Sequence, residues 1–235
     1  MTIADRIAGL DWAALAEEMD ATGFAQTPAV LTATECRRLA AAFDDDERFR
    51  STVDMRRYRF GEGAYRYFDS PLPELIDQAR HALYAPLAEL ANRWAAQLGE
   101  TGDFPADLEA FLRRCHRAGQ RRTTPLILRY SAGGHNTLHQ DLYGDVAFPL
   151  QAVTMLSAPG TDFEGGQFVL LEQRPRAQSR AHVIDLERGA FLLFPTRHRP
   201  VNGTRGYYRA AMRHGVATVR RGERTTLGII FHDAS

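Results

Sequence analysis

The stretch Thr124–Asp141, TPLILRYSAGGHNTLHQD, is where the chain changes character. Leu126, Ile127, Leu128 and Tyr130 form a short apolar run closed by turn-forming Gly133 and Gly134, the pattern of a β-strand. Six further runs of the same kind follow: LQAVTMLS, GQFVLLEQ, AHVIDL, AFLLFPT, RHGVATVR and RTTLGIIFHD. Seven strands with short turns and no helical stretch between them predict antiparallel sheets closed as a sandwich or barrel. DFEGGQF reads as a tight turn in which Gly165 or Gly166 supplies a positive φ. Inside the opening stretch, His139 and Asp141 stand two residues apart. On a strand such residues point to one face, as two ligands of one metal ion must. A half-buried strand with two polar residues has the same spacing, so other parts of the chain decide between these readings.

Upstream the periodicity is helical. DWAALAEEMDATG ends in a capping glycine, and LTATECRRLAAAF starts with the capping-box pair Thr32 and Glu35. LPELIDQARHALYAPLAELANRWAAQLGE carries Leu75, Ile76, Ala79, Leu83, Leu87, Leu90, Ala91 and Trp94 at helical spacing, with Pro86 expected to kink or break it. FPADLEAFLRRCHRAG is a further short helix. The expectation is one domain over residues 1–235, with a mainly helical support region at 1–123 and a β core at 124–235.

Composition narrows the class. Hydrophobic residues make up 44% of the 235 and charged residues 25%, ordinary for a soluble globular protein. No charged-then-apolar leader is present and no apolar run approaches the ~18 residues of a membrane span. The two cysteines, Cys36 and Cys115, read as free thiols of a reducing compartment, which predicts a cytoplasmic protein. Residues 1–110 hold 20 acids and 11 arginines, and residues 111–235 hold 9 acids and 18 arginines. The second half is therefore basic and suits an anionic ligand, or docks on the acidic first half. Nothing resembles the H-E-x-x-H of a metallohydrolase.

A third ligand lies downstream. RHGVATVRRGERTTLGIIF supplies His214, with Arg224 ten residues on and Thr226 on the same strand face. Two histidines and one carboxylate are the facial triad of non-haem iron oxygenases, which leaves positions open for a chelating co-substrate and oxygen. A co-substrate with a distal carboxylate needs a deep cation, and the planar fork of arginine suits it. His198 competes with His214: it follows Phe194-Pro195 and precedes Val201, Gly203 and Arg205. Its arginine is only seven residues away and NGTRGYY reads as a turn, so His214 is the expected ligand.

The chain thus resembles the Fe(II)/2-oxoglutarate-dependent dioxygenase superfamily, in particular its prolyl-hydroxylase-like branch. His139-Gln140-Asp141 meets the pattern H-x-D. His214-Gly215-Val216, Val219, Gly222 and Arg224 meet H-x-V-x-x-V-x-x-G-x-R. Gly165-Gly166-Gln167 matches the family's turn, and Tyr130 matches a tyrosine some ten residues before H-x-D. The resemblance covers about residues 125–233. It implies a mainly β fold with α, a double-stranded β-helix (jelly-roll) core supported by N-terminal helices. It implies Fe(II) on His139, Asp141 and His214, and 2-oxoglutarate held by Arg224 with Tyr130 and Thr226. Oxygen is the oxidant and ascorbate an optional reductant. The implied reaction hydroxylates an unactivated C–H bond, first of a peptidyl residue or amino acid. RYSAGGHNTLHQD is also locally similar to the AlkB-type nucleic-acid demethylases, although their second arginine is replaced here by Ile230. A non-enzymatic cupin-type binding module is the remaining alternative. The segment 196–213 then reads as an insertion beside the metal, an exposed loop or a substrate-gripping lid with Arg197, His198, Arg199, Arg205, Tyr207, Tyr208 and Arg209. MRRYRFGEGAYRYF (55–68) reads as an edge hairpin or as a binding stretch that stacks bases and grips phosphates.

Overall fold

The computed structural model describes residues 1–141 and 144–235. Five helices come first or early: α1 (Ile3–Ala8), α2 (Trp12–Thr22), α3 (Ala33–Ala41), α4 (Glu74–Gln97) and α5 (Leu108–Arg117). The Thr32–Glu35 capping box starts α3, and Gly23 in the left-handed conformation ends α2. Pro86 lies inside α4 without ending it. Leu83, Tyr84, Leu87 and Ala88 are buried on both sides of the proline, so packing holds the helix through the missing hydrogen bond.

The strands build two antiparallel sheets. The larger runs β1 (Ala25–Ala29), β11 (Ala190–Pro195), β7 (Leu150–Met155), β14 (Val219–Ile230), β5 (Leu126–Ser131), β4 (Ala64–Phe68) and β2 (Phe49–Asp54), with β8 (Phe163–Gly165) also on β14. The smaller runs β10 (Arg180–Ile184), β9 (Phe168–Gln173), β13 (Gly206–Val216), β6 (His135–His139) and β3 (Gly61–Glu62), with β12 (His198–Gly203) on β13. This is the expected mainly β jelly-roll with supporting helices.

Burial explains the sequence pattern. Every residue of β7 and of β11 is buried, because the larger sheet is covered on both faces. One face, with Leu150, Ala152, Leu193, Leu227 and Ile229, packs on the helices. The other, with Val153, Met155, Leu192, Phe194 and Tyr130, meets Phe168, Leu170, Met212 and Val216 of the smaller sheet. A cavity lined by residues of both sheets lies in this second interface.

Three differences from the expected layout matter. The first 123 residues also supply β1 to β4, which enter both sheets. RHGVATVR is not one strand: it spans the break between β13, ending at Val216, and β14, starting at Val219. The segment 196–213 is not a loop or lid but the β12–β13 hairpin, in register from His198↔Ala211 to Gly203↔Gly206. Arg199 pins it: a buried side chain that pairs with Glu172 of β9 at 2.7 Å and donates to the carbonyl of Asp20 at 3.0 Å.

Candidate active site

The register sets His214 of β13 directly opposite His139, the last residue of β6. Their rings lie 4.2 Å apart between centroids. Asp141 is not on the strand face that the i, i+2 spacing suggested; it stands two residues past the end of β6. Its carboxylate still reaches both imidazoles, with Oδ1 3.5 Å from His139 Nε2 and Oδ2 3.1 Å from His214 Nε2. One ligand atom from each residue lies within 4.8 Å of the other two, a spread that one metal ion can gather.

The protonation states suit ligation. His139 Nδ1 lies 2.7 Å from the Thr137 carbonyl, which can only accept, so the proton sits on Nδ1 and Nε2 offers its lone pair. Burial pushes the His214 imidazole below its ordinary value against the pull of Asp141. For His139, burial acts in the same sense and is the largest single influence, but the hydrogen bond and charge of Asp141 together with the Thr137 carbonyl outweigh it and the group is raised. Burial alone would raise the Asp141 carboxyl, yet the two imidazoles hold it well below the usual carboxylate range. Phe168 stacks parallel to His214 at 5.7 Å and Phe194 meets it edge-on at 4.9 Å, which shields that imidazole from water.

From the triad a cavity of about 240 Å³ runs between the sheets, lined mainly by apolar side chains and reaching Arg224. Arg224 is only 1% exposed, and no acid among the described residues pairs with it. Its Nη1 makes one long contact of 3.4 Å with Thr226 Oγ1, while Nε and Nη2 are buried without a partner among the described residues. Burial draws the guanidinium down to about 10, which leaves it cationic at neutral pH. A buried cation with two open donors is costly unless an anion completes it. Tyr130 is the cross-strand partner of Arg224; the guanidinium carbon lies 5.5 Å from its ring centroid. Burial pushes its phenol up to about 12, so it stays protonated. Gly166 makes room for this arginine: at φ +61 a Cβ there would lie 2.8 Å from Arg224 Cδ.

The sequence-predicted residues therefore divide. His139, Asp141, His214, Arg224, Tyr130 and Thr226 come together around one cavity. His198 does not join the triad; its Nε2 lies 3.5 Å from Glu100 on another side of the hairpin. With Arg197, Arg209, Arg213 and Glu100 it borders a cleft of about 790 Å³ beside the site. Arg199 is locked in its ion pair, and Arg205, Tyr207 and Tyr208 lie toward the hairpin tip and line neither cavity nor cleft. Several residues were missed. Gln140, the middle residue of H-x-D, donates to the carbonyls of Arg197 and Met212 at 2.9 Å each and ties the ligand segment to the hairpin. Phe60, Tyr65, Phe168, Phe194 and Gln151 also line the cavity. In sequence these read as ordinary strand residues, and only Phe60 and Tyr65 lay in the stretch 55–68 already singled out.

A family model described as "Oxygenase, catalysing oxidative methylation of damaged DNA" and called Oxygenase-NA matches residues 63–234. An uncharacterized protein of Mycobacterium tuberculosis is 48% identical over 172 residues, 73% of this chain and 74% of that one. Among solved structures, a prolyl-4-hydroxylase of Pseudomonas putida aligns at a TM-score of 0.53 and 20% identity, covering 92% of this chain and 96% of that chain. A 2OG-Fe(II) oxygenase family oxidoreductase of Burkholderia pseudomallei aligns at 0.52 and 18% identity, covering 95% and 92%. A Trichoplax adhaerens prolyl hydroxylase in complex with a hypoxia inducible factor peptide fragment aligns at 0.53 and 16%, covering 95% and 89%. At such identities the likeness is one of fold.

Proposed function

The chain belongs to the Oxygenase-NA family, and on that premise we propose that it is an Fe(II)- and 2-oxoglutarate-dependent oxygenase acting on a methylated base of single-stranded nucleic acid. The observation that carries the reaction class is Arg224: a buried cation with open donors, at the far end of a cavity that begins at a His-Asp-His cluster. A dicarboxylate fits that cavity, with one end at the triad and the other on the guanidinium. Iron and 2-oxoglutarate bound there supply a one-oxygen oxidation of a C–H bond, the co-substrate leaving as succinate and carbon dioxide.

The chain's own residues bind, orient and dry the site. His139, Asp141 and His214 hold the metal. Arg224 pairs with the distal carboxylate, Thr226 adds a hydroxyl donor, and protonated Tyr130 donates its phenolic hydrogen. Gln140 fixes the segment that carries Asp141, and Phe168 with Phe194 exclude water from His214. With Ile230 where AlkB-type enzymes have a second arginine, one arginine carries the carboxylate alone. The N-terminal helices and the β core act as one catalytic unit, since β1 to β4 complete the sheets. The two cysteines are free and buried, which suits work in the cytoplasm. No helix among the described residues is long and apolar enough to cross a membrane.

The nucleic-acid reading draws on the family's description and on the cleft of Arg197, His198, Arg209 and Arg213 next to the triad. Its product is a hydroxymethylated nitrogen that releases formaldehyde and leaves N–H. Hydroxylation of a peptidyl residue or amino acid, as in the prolyl hydroxylases, is the second reading, and fold likeness supports it. The first test is anaerobic titration of metal-free protein with Fe(II) and then 2-oxoglutarate. The expected result is a weak visible charge-transfer band that His214→Ala removes and His198→Ala retains. Iron binding without the band would mean that the co-substrate site is misassigned. For the substrate, formaldehyde release from a methylated oligonucleotide should weaken steeply with salt, by roughly tenfold or more between 50 and 200 mM. Turnover of a proline-containing peptide alone would favour the second reading.

A further inference from the structure

We propose that Gln151 reads the substrate, pairing its side-chain amide with the edge of a nucleobase seated in the cavity. The inference rests on the nucleic-acid reading above and deepens it. In β7, Leu150 and Ala152 pack on the helices, while Gln151, Val153 and Met155 alternate toward the other sheet. Gln151 is 3% exposed and lines the cavity, yet its Nε2 is buried with no hydrogen-bond partner among the described residues. A buried amide is ordinarily paired, because leaving it unpaired forfeits the hydrogen bonds it makes with water. Gln151 repeats the logic of Arg224 with a neutral group.

Its place in the register separates it from the co-substrate end. Gln151 pairs with Ile230 on β14, and Arg224 lies six residues back along that strand, roughly 20 Å at strand rise. Its other cross-strand neighbour is Phe194, whose ring meets that of His214. The amide thus stands on the triad's side of the cavity, away from the arginine. Beside it, Leu126 and Ile230 are apolar and Gly228 contributes no side chain, and the rings of Tyr65 and Phe60 line the same cavity. Apart from the triad's own metal, a carboxylate or phosphate would call for a cation there, and Arg224, the one arginine lining the cavity among the described residues, lies at the other end. An amide offers a donor and an acceptor side by side in one plane, the complement of the paired acceptor and donor on a base edge. Gln151 is a specificity residue in this account: it touches the base and moves no proton.

The test compares wild type, Gln151→Leu and Gln151→Glu, each loaded with Fe(II) and 2-oxoglutarate. The probes are single-stranded oligonucleotides bearing one N-methylated adenine or one N-methylated cytosine, with formaldehyde release as readout. Gln151→Leu should keep its melting temperature and its charge-transfer band. Its kcat/KM should fall roughly 10- to 100-fold for the preferred base, and the preference between the two bases should collapse. Gln151→Glu loses the donor and should move the preference toward the base that presents the stronger donor. Wild-type turnover with both variants within twofold of it, and with unchanged preference, would overturn the role of Gln151 and leave the nucleic-acid reading standing. Loss of the band in Gln151→Leu would make the residue part of the metal scaffold and overturn the proposal. Wild type that forms the band but releases no formaldehyde from either oligonucleotide sinks the nucleic-acid reading and this inference together, with the oxygenase intact.

Discussion

Arg80 and Arg224 are 2% and 1% exposed, and the fold treats them in opposite ways. Arg80, on α4, donates to the carbonyls of Ile230 and Phe231 at 3.0 and 2.9 Å and pairs with Asp233 at 2.9 Å. His116 closes the other oxygen of Asp233 at 3.0 Å. Arg224, a few residues earlier on the same β14 that leads to Asp233, has one long contact and two open donors. A cation that serves only the scaffold is surrounded until nothing is left to pair. A cation that waits for a ligand is kept open, and the fold bears the cost of its desolvation. The difference is visible without any ligand, and it is what supports the proposed placing of the co-substrate at Arg224.

The contrast breaks most readily in stability measurements. Arg80→Met should destabilise by about 3–5 kcal/mol, because it strands the buried Asp233 carboxylate. Arg224→Met removes no completed pair, so its urea midpoint should stay at or above that of wild type. Equal losses in the two variants would mean that Arg224 is also a scaffold cation. In binding the order reverses. Arg224→Met should lose the two charge-assisted hydrogen bonds to a carboxylate, about 3 kcal/mol or roughly 100-fold in 2-oxoglutarate affinity, while iron binding persists. Arg80→Met, at a temperature where it is folded, should bind the co-substrate as wild type does. Charge-transfer titrations decide both.

A pH series sharpens the comparison further. His232 sits between two of Arg80's partners, and its Nδ1 accepts from the Phe148 amide at 3.1 Å. Burial, helped by Arg80, holds its imidazole down to about 4. Between pH 6.5 and 4 the unfolded chain takes up a proton that the folded chain refuses. Stability should therefore fall as pH drops through that window, by about 2 kcal/mol. His232→Asn, which keeps an acceptor and cannot titrate, should flatten the decline in urea midpoint between pH 7 and 4.5. An unchanged slope would place the acid sensitivity elsewhere.

The same contrast explains what was readable in the sequence. The triad, Arg224, Thr226 and Tyr130 were legible because their intervals in the sequence match a family motif, although only Arg224 and Thr226 share a strand and Asp141 lies past the end of β6. The expected fold followed from runs such as AFLLFPT, whose continuous apolar character is the mark of a sheet covered on both faces. Gln151 and Phe194 were invisible as site residues because the cavity takes them from different strands, and only the register brings them beside His214. β1, AQTPA, contains a proline and little apolar content, so its pairing with β11 is imposed by tertiary contact. The β12–β13 hairpin was hidden for a related reason. Its arginines read as a solvated loop, whereas Arg199 is neutralised by Glu172, 27 residues away in sequence.

The smallest effect tests whether completeness or burial sets the energy. Arg6 and Glu35 form a two-pronged pair at 2.7 and 2.8 Å, as complete in geometry as Arg80 with Asp233, but their side chains are 16% and 22% exposed. Hydrogen bonding from Arg6 draws the Glu35 carboxyl down to about 2, with the Thr32 backbone and hydroxyl adding to it. A carboxyl lowered in the folded state stabilises above its unfolded pKa of ~4.3 and loses that contribution as pH falls toward about 2. Glu35→Gln keeps the capping geometry and removes the charge. At pH 7 it should cost about 1 kcal/mol, since water already solvates part of the pair, and the difference from wild type should shrink steadily below pH 4 in urea melts. A loss as large as that of Arg80→Met would show that paired geometry alone makes a cation structural. The open donors of Arg224 would then be the whole of its distinction, and its depth in the fold incidental.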